Sequence, residues 1–257
     1  MVNRDARGDA ARTLALLWEG RYPRGDEAGQ RTALSLDAIV EAATALADAR
    51  GTAAVPLRAV GERLGCTAMA LYTYVGGKDE LLDVMYDRAH AAFAATPVAS
   101  VAEWAERLLD LYVAHPWMLD LAHTRPVLGP HQQEVFEALL GLLLPTVDDR
   151  RDVAAIASSS FSLAAAAARS VVDARRQPHP QEPDAARGRS ERMEALATAA
   201  PDFSDRFPLS TTMMDGATAD GGGRHAGDVP PMEHAARDNL RRSVELLLAG
   251  SGRPPTA

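Results

Sequence analysis

Residues 57–78 read Leu57-Arg58-Ala59-Val60-Gly61-Glu62-Arg63-Leu64-Gly65-Cys66-Thr67-Ala68-Met69-Ala70-Leu71-Tyr72-Thr73-Tyr74-Val75-Gly76-Gly77-Lys78. Behind Pro56, the apolar residues Leu57, Val60 and Leu64 recur at helical spacing, and Gly65 ends that run. Thr67 is placed to cap a second short helix from Ala68 to about Val75, which Gly76-Gly77 closes. Two short helices joined through Leu64-Gly65-Cys66-Thr67 are the outline of a helix-turn-helix. The glycine offers the positive φ that a tight turn demands, and the threonine hydroxyl accepts from free amides at the next helix's start. Val60, Leu64, Leu71 and Val75 would lock the pair together. That leaves Ala68, Ala70, Thr73 and Tyr74 outward, on a face small enough to enter a major groove about 12 Å wide.

On the N-terminal side, residues 36–47 carry Leu36, Ile39, Val40, Ala43, Leu46 and Ala47 on one helical face, with Ser35 as N-cap and Gly51 as stop. On the C-terminal side, a further helix runs from Asp79 through Leu81, Leu82, Met85, Ala89 and Phe93 until Pro97 permits a break. Val101–Ala114 is amphipathic and halts at His115-Pro116, and Gly129-Pro130 opens a helix that ends at Pro145. The spacing predicts a long Ala-rich helix over 148–176 and a last helix over 232–249. Two segments, 177–189 and 215–231, are rich in Pro, charge or Gly and read as mobile. No strand-like alternation interrupts the pattern, so the expected fold class is all-α.

The 257 residues carry 27 Lys plus Arg against 35 Asp plus Glu, a formal net charge of −8. No global basic field draws such a chain to nucleic acid, so a DNA function needs a local footprint. One exists: residues 57–78 hold Arg58, Arg63 and Lys78 against the single acid Glu62, and Lys78 is the only lysine in the chain. A single cysteine, Cys66, excludes an intramolecular disulfide framework. The apolar run at Leu14–Trp18 is too short for a signal-peptide core, and 153–172 is broken by serines and Arg169, reading as a buried helix rather than a bilayer span. These features point to the cytoplasm, with no membrane partner. The histidines do not fall at a metal spacing, Ser158-Ser159-Ser160 lacks a nucleophile elbow, and no Gly-rich loop follows a strand. Accordingly no catalytic, metal or cofactor residue is expected.

Three spaced pieces, Leu36-Asp37-Ala38-Ile39-Val40-Glu41-Ala42-Ala43, Leu57 to Gly65 and Leu71-Tyr72-Thr73-Tyr74-Val75-Gly76-Gly77-Lys78-Asp79-Glu80-Leu81-Leu82, closely resemble the DNA-binding domain of the TetR family of bacterial transcriptional regulators. The C-terminal part is similar, more loosely, to the tetracycline-repressor-like ligand domain through His115-Pro116-Trp117 and Thr124-Arg125-Pro126-Val127-Leu128-Gly129-Pro130. The resemblance implies a homodimer, double-stranded operator DNA as partner and a small-molecule effector that alters the spacing of the DNA heads. It places phosphate contacts on Arg58, Tyr72, Tyr74 and Lys78, groups that fix register without reading sequence. Base-facing positions fall on Thr67, Ala68, Ala70 and Thr73, which lack bidentate donors, so readout would rest on thymine methyls, hydroxyl bonds and DNA shape.

Three domains are expected: a largely flexible extension over 1–34 with room for one short helix around Leu14, Leu16, Leu17 and Trp18, a helix-turn-helix domain over 35–95, and an effector-binding and dimerisation domain over 96–250. In the extension Arg4, Arg7, Arg12, Arg21, Arg24 or Arg31 invites a minor-groove contact, set against a disordered tail whose five acids dilute the charge. Trp104, Tyr112, Trp117, Met118, His123, Arg125, Phe136 and Phe161 are the large or polar residues of otherwise Ala- and Leu-rich helices. They are the expected effector contacts, with simple core packing as the alternative for each. For the dimer, small residues over 154–168 would meet a stripe of Ala236, Leu240, Val244 and Leu247 across a two-fold axis. The rival to a ligand-responsive repressor is an all-α small-molecule-binding protein or enzyme whose helix-turn-helix is incidental.

Overall fold

The computed structural model describes residues 4–19, 34–121, 127–176, 182–213 and 231–251. They form helices α1 (Arg4–Glu19), α2 (Leu36–Arg50), α3 (Leu57–Leu64), α4 (Ala68–Leu71), α5 (Lys78–Ala94), α6 (Val101–Ala114), α7 (Met118–Leu121), α8 (Pro130–Leu143), α9 (Arg150–Arg176), α10 (Glu182–Ala199), α11 (Phe203–Arg206), α12 (208–213) and α13 (Pro231–Gly250), with no strand among the described residues. The chain divides into two compact units, one of residues 1–172 with 236–257 and one of residues 173–235.

Local chemistry sets the helix ends. Ser35 Oγ accepts from the Ala38 amide at 3.1 Å, and Gly51 at φ 75° donates its amide to the Ala47 carbonyl at 2.7 Å. α2 buries Ile39, Val40, Ala43, Leu46 and Ala47, and α3 buries Leu57 and Val60. Gly65 sits at φ 69°, the left-handed conformation a tight turn needs. Gly61 has a different reason to be glycine. A Cβ there would lie 2.7 Å from the Cys66 carbonyl oxygen, so the turn between α3 and α4 closes only because no side chain intervenes.

The expected helix from Ala68 to about Val75 is shorter, stopping at Leu71. Thr73 Oγ1 donates to the Ala70 carbonyl at 2.7 Å, and the Tyr74 amide turns to the Leu71 carbonyl at 2.9 Å. A hydroxyl that competes for the helical acceptor tightens the last turn.

The extension, expected as a flexible arm with room for one short helix, holds a helix of 16 residues, and a segment expected to be mobile contains helix as well. Arg4–Glu19 forms α1 within the 1–34 extension, docked through Leu16, which is 3% exposed, with Leu17 packed against the core and Trp18 exposed. Residues 182–189, inside the stretch expected to be mobile, begin α10; Pro183 is compatible with a first helical turn, and the Ala and Arg residues after it favour helix. The stretch 215–230 lies outside the described residues.

α9 is long and apolar enough by composition to cross a membrane, yet Val153, Ile156, Ala157, Ala164 and Ala168 are buried in the protein core, as in a core helix. Leu240 and Val244 of α13, expected to face a second subunit, are buried at 2% and 0% in their own chain. These two residues therefore pack within the protomer, while Ala236 and Leu247 of the same stripe are only half-buried.

α5 is the most deeply buried polar helix. It packs most extensively on α8 and buries Glu80, Asp83, Asp87 and His90. Asp87 accepts from the Gln132 amide at 3.0 Å and lies 2.8 Å from His131 Nδ1. A carboxylate there satisfies a free amide at the start of α8 and favours the positive end of its dipole. His90 Nδ1 is 2.8 Å from the Tyr86 carbonyl. Burial holds its imidazole below the usual range, opposed by the Tyr86 carbonyl and Asp87 and reinforced by His131 and His115.

This packing has two measurable consequences. Gly61→Ala forces the Cys66 carbonyl to move and costs about 1–3 kcal/mol of stability, read as a lower urea midpoint at unchanged m-value. For His90, the unfolded chain takes up a proton that the folded chain refuses, so its contribution is present above the usual imidazole pKa and lost as pH falls. Between about pH 7 and pH 5.5, His90→Phe should therefore lose less stability than the wild type in parallel urea titrations.

Candidate nucleic-acid interface and adjoining cavity

The outer face of α4 is small and polar. Thr67 is exposed and caps the helix, its Oγ1 accepting from the Ala70 amide at 3.3 Å. Ala68 and Ala70 are half-buried, while Thr73 is exposed. Met69, absent from the expected base-facing set, is the most exposed residue of the helix at 74%. A methionine there presents a flexible apolar thioether suited to thymine methyls. The signal for it is local: in a four-residue helix held by Leu71, the position two residues earlier points away from the core.

The expected phosphate-contacting residues divide. Arg58 is exposed on the first turn of α3 and paired with Glu62 at 2.9 Å, a partner that phosphate must displace. Tyr72 is 49% exposed and points outward at the end of α4. Lys78 is half-buried at the first position of α5. There its ammonium adds to the free amides of a 17-residue helix, both favourable to a phosphate oxygen. Tyr74, expected outward, is half-buried, and its hydroxyl donates to the Leu34 carbonyl at 3.1 Å. The shortened helix swings this ring inward, so Tyr74 braces the start of α2 instead of standing free.

α5, α6, α8 and α9 line a half-open cavity of about 330 Å³. Tyr86, Tyr112, Phe136 and Phe161 form its aromatic wall, with Leu128 and Ala165 beside them. Gln132, Gln133, Ser158 and Ser162 supply uncharged polar groups. The Tyr86 and Tyr112 hydroxyls hydrogen-bond one another; burial raises both phenols, Tyr112 furthest, so they stay protonated at neutral pH.

Of the expected effector contacts, the structure brings Tyr112, Phe136 and Phe161 together at this cavity. Trp104 stands behind it, edge-on to Phe161 at 4.7 Å, with its indole donating to the Val135 carbonyl at 2.9 Å. Trp117 and Met118 are buried in the core, the Trp117 indole donating to Asp48 at 2.8 Å, so they serve packing between α2 and the start of α7. His123 and Arg125 lie outside the described residues. Tyr86, Gln132 and Gln133 carry no local signal in the sequence, because their convergence depends on how α5 meets α8.

This geometry has counterparts among known proteins. The family described as "Bacterial regulatory proteins, tetR family" matches residues 39–85, from α2 into α5. The HTH-type transcriptional repressor DrrR1 of Streptomyces coeruleorubidus is 42% identical over 147 residues, a match covering 54% of this chain and 53% of DrrR1. The chain thus spans about half the length of that curated relative. Among solved structures, a TetR regulator from Streptomyces coelicolor superposes with a TM-score of 0.60 at 23% identity, covering 85% of this chain and 97% of that one. ActR from the same organism, a TetR family protein solved in complex with actinorhodin, has a TM-score of 0.51 at 23% identity, covering 86% of this chain and 100% of its own. Over residues 39–85, from α2 into α5, the chain is thus similar to the tetR family of bacterial regulatory proteins, and the helix-turn-helix lies within that matched segment.

Proposed function

We propose that the protein is a cytoplasmic, homodimeric transcriptional repressor of a bacterial cell, bound to double-stranded operator DNA and released by a small-molecule effector. The observation that carries this reading is the exposed edge of Met69, Tyr72 and Thr73, flanked by Arg58 and Lys78. Phenol, guanidinium and ammonium fix position on phosphates, while the small α4 face enters the groove. Names of relatives point the same way, being repressors or regulators and not enzymes.

For the effector, the cavity offers aromatic surface with a few neutral hydrogen-bonding groups, the composition of a small-molecule site. Its wall includes Tyr86 of α5, the helix whose first residue is Lys78. A ligand that binds better when α5 is displaced lowers DNA affinity by the same coupling free energy. That ActR, alike in fold, forms a complex with actinorhodin supports a small molecule as the ligand.

For the dimer, α9 and α13 present exposed Ala154, Ala155, Ser158, Ala166 and Leu246 on neighbouring faces. Ser158, Ser162, Leu163, Ser243 and Leu247 line a groove between them. Small side chains permit close approach of a second pair of helices, giving a four-helix interface.

Two measurements test this reading. On DNA flanking its own gene, Lys78→Ala should weaken binding to many sequences alike and flatten the dependence of log Kd on log salt by about one unit per head; an unchanged slope removes Lys78 from the phosphate contacts. Light scattering at micromolar concentration should give the mass of two chains, and Leu246→Glu should shift it toward one. A monomeric wild type contradicts the interface.

A further inference from the structure

α1 lies outside the matched family segment, yet it touches the proposed DNA-binding machinery at a specific point. Arg12 Nη2 donates to Glu80 Oε2 at 2.8 Å. The same carboxylate oxygen accepts from the Gly76 amide at 2.9 Å. Glu80 is only 5% exposed, and its other oxygen, Oε1, is buried without a hydrogen-bond partner among the described residues. Gly76 makes room for the contact: a Cβ built there would overlap the Arg12 guanidinium. The far end of α1 is fixed as well. Leu16 is buried, and the Trp18 indole donates at 2.9 Å to the carbonyl of Leu128. Leu128 holds a positive φ of 58° at the lip of the cavity.

We infer that Arg12 of α1 is a positioning residue for operator binding: it neutralises the buried Glu80 carboxylate and holds the Gly76-Gly77 turn, so that Lys78 and the start of α5 meet phosphate in register. This role rests on the protein being a DNA-binding regulator. Glu80 stands two residues from Lys78, and an unneutralised carboxylate there opposes the approach of a phosphate. A buried carboxylate is costly to strand without its charged partner, which makes Arg12 a strong anchor for the turn. The role differs from that of a minor-groove arm, the alternative the extension's arginines invite, because a guanidinium engaged with Glu80 acts through α5 and neutralises no phosphate.

The test uses the full chain and three variants: Arg12→Ala, Gly76→Ala and both together. Gly76→Ala displaces the flexible ends of Arg12 and of Glu80, whose Oε2 a Cβ would meet at 2.6 Å, without touching DNA-facing residues. On a duplex recovered by the wild type from flanking DNA, each single variant should weaken binding about tenfold, with the double variant no weaker and the salt slope unchanged. Unchanged affinity, additive losses, or a slope flattened by about one unit overturns the inference, the last making Arg12 itself a phosphate contact. Amide hydrogen exchange without DNA supplies an independent readout. Exchange at residues 76–82 should quicken in both single variants while far-UV circular dichroism stays that of the wild type; unchanged exchange also overturns it. If the wild type binds no DNA, the regulator reading falls, and exchange alone decides whether Arg12 holds the turn.

Discussion

The carboxylate of Asp87 fixes α8 on α5, and most of what the molecule can do depends on that contact. Asp87 is 2% exposed, accepts from the Gln132 amide and faces the His131 ring. Gly129 is required beside it, since a Cβ there would overlap the carboxylate. The start of α8 is therefore held at one place along α5. Because α5 begins with Lys78 and reaches the cavity at Tyr86, the helix proposed to meet DNA and the helix that walls the cavity are the same rigid element. A buried, doubly engaged carboxylate gives that joint a definite geometry, and definite geometry is what a coupling between two sites needs.

Legibility in the sequence tracks the range of the interactions. The turn at Gly65, the caps at Ser35 and Thr67 and the amphipathic faces of α2 and α6 are local, set by residues within four positions of one another, and they are readable. The all-α class and the helix-turn-helix come from them. The end of α4 is also local but hinges on a single hydroxyl: Thr73 takes the Ala70 carbonyl and turns the chain, carrying Tyr74 to Leu34. A periodicity argument cannot see that competition. The residues that line the cavity are the least legible. Size and polarity pick out Trp104, Trp117 and Met118 as readily as Tyr112, Phe136 and Phe161, yet only the last three reach the cavity. Tyr86 and Gln132 reach it from helices paired by Asp87, a contact between residues 45 apart. α13 illustrates the same point: its stripe of Leu240 and Val244 is real, but its partner is the chain's own core.

Charge divides in a similar way. An overall balance of −8 argues against nucleic acid, and the fold localises the objection. Of the acids near the helix-turn-helix, Glu80, Asp83 and Asp87 are buried, and Glu80 is paired with Arg12. The sole lysine stands at the start of α5 and Arg58 on the open side of α3. The surface a phosphate would meet is thus more positive than a count over residues 35–95 suggests, because burial and pairing remove acids from it.

The roles given to α4, to Lys78 and to the joint between α5 and α8 all require sequence-specific recognition of duplex DNA, and selection from a random-sequence pool by the full-length protein is the decisive test. Two α4 helices related by a dimer axis predict enrichment of a two-fold symmetric site, lost as salt rises. A pool that emerges no different from the starting library after repeated rounds at low salt contradicts it.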